Sequence, residues 1–195
     1  SMLVVGGGYI GCELAQIFAR AGVQVTLATR SRLLPETEPE VSEALTTFLS
    51  DEGIRVVSGI SYQSIQQTDR GVQLSVKRAG ENIDLSAERL LITTGRVPNA
   101  TGLGLETAGV ALNGRGGVQI DERMRTSKPG VYAAGDVTGH DQFVYMAAYG
   151  AKIAALNAMN GDSLSYDNSA MPWVVFTDPQ VAGVGLTEAG AQAAG

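Results

Sequence analysis

The sequence predicts an α/β fold: a parallel sheet with crossover helices, interrupted by an antiparallel β meander. Three observations predict it. Over the first 57 residues short apolar runs alternate with helical periodicities, the pattern of strand, helix, strand, helix, strand. From about residue 61 the texture changes to short strand-like runs joined by turn residues. A largely apolar run at 90–93, Leu-Leu-Ile-Thr, then reads as a strand returning to the first sheet.

Leu3, Val4 and Val5 read as a buried strand. Ile10, Leu14, Ile17, Phe18 and Ala21 recur at helical spacing and mark the inner face of a first helix, which Gly22 is placed to end. Val23, Val25 and Leu27 alternate in a second strand. Pro39 opens a second helix in its first turn, with Val41, Ala44, Leu45, Phe48 and Leu49 facing inward. Residues 54–57 form the third strand. The meander comprises 61–68, 72–78 and 82–86, with turns at Asp69-Arg70-Gly71 and Ala79-Gly80. Beyond Gly95 strands are expected at 118–121 and 131–134, and an Ala-rich helix at about 143–160. Residues 163–169 are linker-like, and a new element begins at Trp173.

Composition narrows the function classes. Glycine supplies 25 of 195 residues, well above the usual share of roughly 7%, which calls for tight turns or close backbone approaches. The net charge is −6 with no basic block, which argues against a nucleic-acid partner. One cysteine, Cys12, and one histidine, His140, exclude an internal disulfide framework and leave little for zinc. Lys152 cuts the longest apolar helical region, so no membrane span is expected and a cytoplasmic home is the default. Ser1-Met2 reads as an expression scar, which makes the chain a piece of something larger.

"LVVGGGYIGCELAQ" sets Gly6, Gly8 and Gly11 in the order G-x-G-x-x-G between a strand and a helix. The first glycine permits the turn, the second lets backbone approach a pyrophosphate, and the third lets helix and strand pack closely. The helix N-terminus then offers unpaired N–H groups to the anion. A Rossmann-like NAD(P)-binding domain is the expectation. A site for NAD normally carries an acid at the end of the second strand, about 20 residues on. Here that end reads "TLATRSR": Thr29 takes the place of the acid, and Arg30 and Arg32 follow. Two guanidiniums can hold a 2′-phosphate, so NADPH is expected over NADH; two solvated loop arginines are the alternative.

"VYAAGDVTG" puts Gly135 and Asp136 at the carboxyl end of an expected strand. Such an Asp can accept hydrogen bonds from ligand hydroxyls, or can simply be a turn residue. Together "GGGYIGCELA", "ITTGRVPN" (with Gly95) and "YAAGDVTG" resemble the flavin-dependent pyridine nucleotide-disulfide oxidoreductases. The resemblance runs over essentially the whole chain. Within that family, "MRTSKPGVYAAGD", "DQFVYMAA" and "AMPWVVFTDPQVAGVG" resemble the branch that reduces thiolate-bound Hg(II) to Hg(0). Gln180, where the disulfide reductases more often show Glu, points the same way.

The resemblance implies a role for each matching residue. Gly6, Gly8 and Gly11 would hold the NADPH pyrophosphate, and Arg30 and Arg32 its 2′-phosphate. Tyr9 would cover the flavin until nicotinamide displaces it, and Glu13 would stand near nicotinamide and flavin. Gly95, Gly135 and Asp136 would belong to the FAD site, with Asp136 on the ribityl chain. The helix starting near Gln142 would aim its positive end at the flavin ring. By the same resemblance, 3–94 would be the NADPH-binding domain and 95–168 the second segment of the FAD-binding domain. Residues 169–195 would start the dimerisation domain of a homodimeric parent. The family's first G-x-G-x-x-G, its C-x4-C pair and the carboxyl-terminal cysteine pair of the Hg(II)-reducing branch are absent from these residues. The chain is therefore expected to bind NADPH without turning over, with Cys12 a small core residue. A dihydrolipoamide dehydrogenase or related disulfide reductase is the alternative within the family, and a non-catalytic dinucleotide sensor the alternative outside it.

Overall fold

In the computed structural model, which describes all 195 residues, the first apolar run is a strand, β1 (Met2–Val5), followed by α1 (Tyr9–Arg20). β2 (Val25–Ala28), α2 (Pro39–Asp51) and β3 (Arg55–Val57) continue the alternation. The meander is β4 (Ile60–Thr68), β5 (Gly71–Arg78) and β6 (Glu81–Ala87), and β7 (Arg89–Ile92) returns to the first sheet. That sheet is parallel with order β3-β2-β1-β7, and the meander forms its own three-stranded antiparallel sheet.

β1 is apolar at every position because each of its faces meets a different layer. Val4 points to one side, where Cys12 and Ala15 of α1 and Leu45 and Leu49 of α2 close over it. Leu3 and Val5 point to the other, against Leu74, Val76 and Leu85 of the meander. Helices thus cover one face and the meander the other, which is why these strands read as continuous apolar runs. Each fully buried leucine contributes about 1.5–3 kcal/mol relative to exposure.

α1 turns a different side inward from the one its large residues suggest. α1 buries Gly11, Cys12, Ala15 and Gln16, while Ile10 and Ile17 are 39% and 58% exposed. Close approach to the sheet demands small residues, so the bulky ones are displaced outward. α2 buries the expected Leu45 and Leu49 together with Ser42, and leaves Phe48 exposed.

The chain divides into two compact units, Ser1–Gly95 with Pro172–Gly195, and Arg96–Met171. The second contains the one-turn α3 (Leu105–Ala108) and the long α4 (Val144–Asn160). α4 buries the stripe Met146, Gly150, Ile153 and Asn157. The Asn157 amide ends that stripe, donating to the carbonyls of Arg123 (3.0 Å) and Leu164 (2.8 Å) and accepting from the Leu164 N–H. The strands expected at 118–121 and 131–134 do not form: only isolated bridges occur, such as Ile120 with Thr126 and Arg125 with Tyr132. The Asp121 carboxylate accepts the N–H groups of Arg123 and Arg125, and Met124 is left-handed (φ +63°). Those donors serve a turn and cannot serve a ladder.

The last elements return to the first unit as the hairpin β8 (Pro172–Val175) and β9 (Val181–Val184), then α5 (Glu188–Ala194). Val175 is fully buried in the cluster that contains Val4 and Cys12. Gln16, itself buried, holds the following turn: its amide nitrogen donates to the Asp178 carbonyl (2.9 Å) and to Glu52 (2.9 Å), and its oxygen accepts the Asp178 N–H (2.8 Å). Arg20 donates to Glu52 and to the Asp178 carboxylate, and the guanidinium holds the Glu52 carboxyl below its usual range.

Candidate functional site

The parallel sheet reverses its strand order at β1, with β2 on one side and β7 on the other. The carboxyl end of such a strand opens on the crevice where doubly wound sheets bind ligands. Gly6 lies there with φ +113°, and a Cβ on it would stand 2.4 Å from the Thr93 carbonyl oxygen. A Cβ on Gly11 would stand 1.9 Å from the Gly6 oxygen. The first and third glycines of the motif are therefore required by the protein's own backbone. Gly8 is different: its φ is −80° and a Cβ there would meet nothing within 4 Å. Its lack of a side chain leaves open the space in front of α1. The helix starts behind Gly8 with no side-chain cap and no acid in its first turn, so its positive end has no protein anion against it.

Thr93, just after β7, ties the turn down by donating its hydroxyl to the carbonyls of Val5 and Gly6, both at 3.0 Å. The loop after β2 packs on the other side. Thr29 is buried beneath Gly7, whose Cβ would lie 2.8 Å from the Thr29 hydroxyl oxygen. Leu34 donates its N–H to the Gly7 carbonyl at 2.8 Å. Arg30 and Arg32 are both exposed on this loop but are not equivalent. Arg30 makes no hydrogen bond or ion pair, whereas Arg32 donates to the carbonyls of Pro35 (2.9 Å) and Thr37 (2.7 Å).

Tyr9 is half-buried at the start of α1, its ring 5.7 Å from that of Trp173. The Glu13 carboxylate, one turn on, accepts the N–H of Phe176 at 2.9 Å. Cys12 faces the opposite way, into the core, with its Sγ 3.6 Å from the Gly7 carbonyl. Burial, with Glu13 nearby, pushes its thiol up to about 12. Cys12 is expected to resist an excess of thiol reagent in the native protein and to react only on unfolding; timed mass spectrometry with and without denaturant checks this.

In the second unit Gly135 is left-handed (φ +78°), and a Cβ on it would press on Ala147 at 3.1 Å. Asp136 opens a single 3-10 turn beyond it. Arg96 donates to the Asp136 carboxylate and to the Gln142 carbonyl, both at 3.3 Å. The Gln142 side-chain nitrogen is buried with no hydrogen-bond partner. Gly95 has φ +120° with open space where its Cβ would be, at the end of the first unit.

The sequence profile of the pyridine nucleotide-disulphide oxidoreductases matches residues 1–155. The chain belongs to that family. Mercuric reductase from Bacillus cereus is 45% identical over 188 residues, and mercuric reductase from Streptomyces lividans 44%. Each alignment takes in 96% of this chain and only 30% and 40% of the relative, so the chain spans about a third of these proteins. The Cu(II) complex of the HOCl-induced flavoprotein disulfide reductase RclA from Escherichia coli superposes with a TM-score of 0.86 at 31% identity. It is covered over 44% of its length by all of this chain. LpdA from Mycobacterium tuberculosis gives 0.87 at 29% identity, with 99% of this chain on 42% of that one.

Within this chain the structure groups Gly6, Gly8, Gly11, Arg30, Arg32, Tyr9 and Glu13 in the first unit, and Asp136 with Gly135 in the second. Thr93 ties down the glycine turn, Arg96 reaches Asp136 and Gln16 holds the Asp178 turn, and the sequence motifs mark none of these roles. Thr93 and Arg96 flank Gly95 in "ITTGRVPN", a glycine-centred stretch that was the available signal; a glutamine inside a helix gives none. His, Cys, Asp and Glu nowhere gather in threes to hold a metal ion, and no helix is long and apolar enough to cross a membrane.

Proposed function

We propose that the chain is the NADPH-binding part and second flavin-binding segment of an FAD-containing oxidoreductase of the mercuric reductase type. The observation that carries the NADPH reading is the end of β2. Thr29 is buried under the glycine turn where an acid would hold a ribose 2′-hydroxyl, and the exposed side chains beside it are arginines. Gly6, Gly8 and Gly11 with the positive end of α1 take the pyrophosphate. Tyr9 and Glu13 lie at the start of α1, where the nicotinamide of a dinucleotide seated on the turn is to be met.

The residues around Asp136 fit a flavin's polyhydroxyl chain and diphosphate. Asp136 is an acceptor for hydroxyls, Arg96 a cation for phosphate, and the orphaned Gln142 amide a donor in want of an acceptor. Gly135 lets the backbone turn there without a Cβ against Ala147. When bound, FAD supplies two-electron chemistry between nicotinamide and an acceptor. Residues 3–94, 95–168 and 169–195 are assigned to the nucleotide, flavin and dimerisation parts of a homodimeric cytoplasmic enzyme, with thiolate-bound Hg(II) as substrate. The identity to two mercuric reductases, 45% and 44%, supports Hg(II). The superposition on flavoprotein disulfide reductases at about 30% supports the second reading, a disulfide substrate. The single cysteine is a core residue, so no thiol chemistry is assigned to these residues.

Titration of the chain with NADPH and with NADH, followed by nicotinamide fluorescence, is expected to show NADPH binding at least about tenfold tighter, near 1.4 kcal/mol. Equal affinities reject the assignment.

A further inference from the structure

The two arginines after β2 have different jobs, and the atoms that each has available decide which. A guanidinium clamps a phosphate through two N–H groups on one edge. Both usable edges of arginine, Nε with Nη2 and Nη1 with Nη2, share the Nη2 nitrogen. In Arg32 that nitrogen has two protons and two partners, the carbonyls of Pro35 (2.9 Å) and Thr37 (2.7 Å). Each edge needs one of those two protons, so neither can present a pair of donors to a phosphate unless a bond to the loop is given up.

Those bonds close a small, strained loop. Leu34 is fully buried at φ +44°, a region that a branched side chain rarely enters. Its carbonyl accepts both the N–H (2.9 Å) and the hydroxyl (2.8 Å) of the buried Thr37. Its own N–H donates to the Gly7 carbonyl at 2.8 Å, between the first two glycines of the motif. Arg32, Thr37, Leu34 and Gly7 thus form a hydrogen-bonded chain from the arginine to the pyrophosphate turn. Arg30 stands outside it, exposed and with all its donors unused by the protein.

We propose that Arg30 alone discriminates NADPH from NADH, and that Arg32 is a positioning residue that holds the glycine turn for either dinucleotide. The proposal rests on the NADPH assignment above. It differs from the expectation that both arginines hold the 2′-phosphate. Arg32 acts on the part of the site that NADPH and NADH share, so its loss falls on both; Arg30 acts only where they differ.

The test compares wild type, R30A, R32A and R32K by titration with NADPH and NADH, with hydrogen exchange at the Leu34 amide as a second readout. R30A is expected to lose NADPH affinity by about tenfold or more with NADH changed less than about twofold. R32A is expected to weaken both dinucleotides by the same factor and to speed Leu34 exchange. R32K, whose ammonium can donate to both carbonyls, is expected to restore both affinities and the slow exchange. A selective loss of NADPH in R32A or R32K with Leu34 still protected makes Arg32 a direct ligand and overturns the proposal. No change at all in R32A overturns it too. A wild type that binds the two dinucleotides equally fails at the earlier step, the NADPH assignment, and is recognised before any variant is compared.

Discussion

Gly11→Ala is expected to destabilise the protein by about 2 kcal/mol or more, although it places the best helix former inside a helix. The propensity gain is at most about 1 kcal/mol. Against it stands a methyl group 1.9 Å from the Gly6 carbonyl oxygen and 2.8 Å from the Thr93 hydroxyl, both fixed by the turn. Neither neighbour is the loose end of a flexible side chain, so α1 must move off the sheet. For a chain of this size each kcal/mol lowers the melting temperature by about 2–4 °C, so thermal unfolding resolves the change easily. Gly8→Ala separates ligand space from packing. A Cβ there meets no protein atom, and φ −80° suits alanine. Stability is expected to hold while dinucleotide affinity falls about tenfold or more, because the methyl stands where backbone must approach the pyrophosphate. Unchanged affinity in Gly8→Ala removes the pyrophosphate from this turn.

Gln16→Leu is expected to release the turn at Asp178 and to cost about 2 kcal/mol. The amide makes three hydrogen bonds, two to the Asp178 backbone and one to Glu52, from a side chain 4% exposed. Leucine has similar bulk but satisfies none of these partners, and the Asp178 backbone is left to water. Arg20 still reaches Glu52 and Asp178 at the surface, so the hairpin loosens without detaching. Urea unfolding measures the loss, and limited proteolysis is expected to open new cleavage around 176–180. A proteolysis pattern identical to wild type, with no shift in the urea midpoint, removes the latch role.

The sequence was legible where each local rule served a single layer. The strands, the glycine turn and the meander all follow from period, punctuation and motif. The inner face of α1 does not. A search for large apolar residues selects Ile10 and Ile17, yet a helix lying close on a sheet buries Gly11, Cys12 and Ala15. The expected strands at 118–121 and 131–134 give only isolated bridges, and Asp121 turns the chain between them by taking the N–H groups of Arg123 and Arg125, a local competition that alternation of apolar residues cannot reveal. The arginines were legible as a charge pattern. That one of them is bound to its own loop depends on the left-handed Leu34, which no motif announces.

Val175 sits fully buried beside Val4 and Cys12, with the whole second unit lying between them along the chain. On the ribosome, therefore, the layer that β1 opens stays uncovered over Val4 and Cys12 until β8 has emerged. A nascent chain halted before Pro172 carries the glycine turn and the parallel sheet, with an apolar patch over α1 still waiting for its cover. Within these residues, β1 and α1 emerge well before the strand that completes their core.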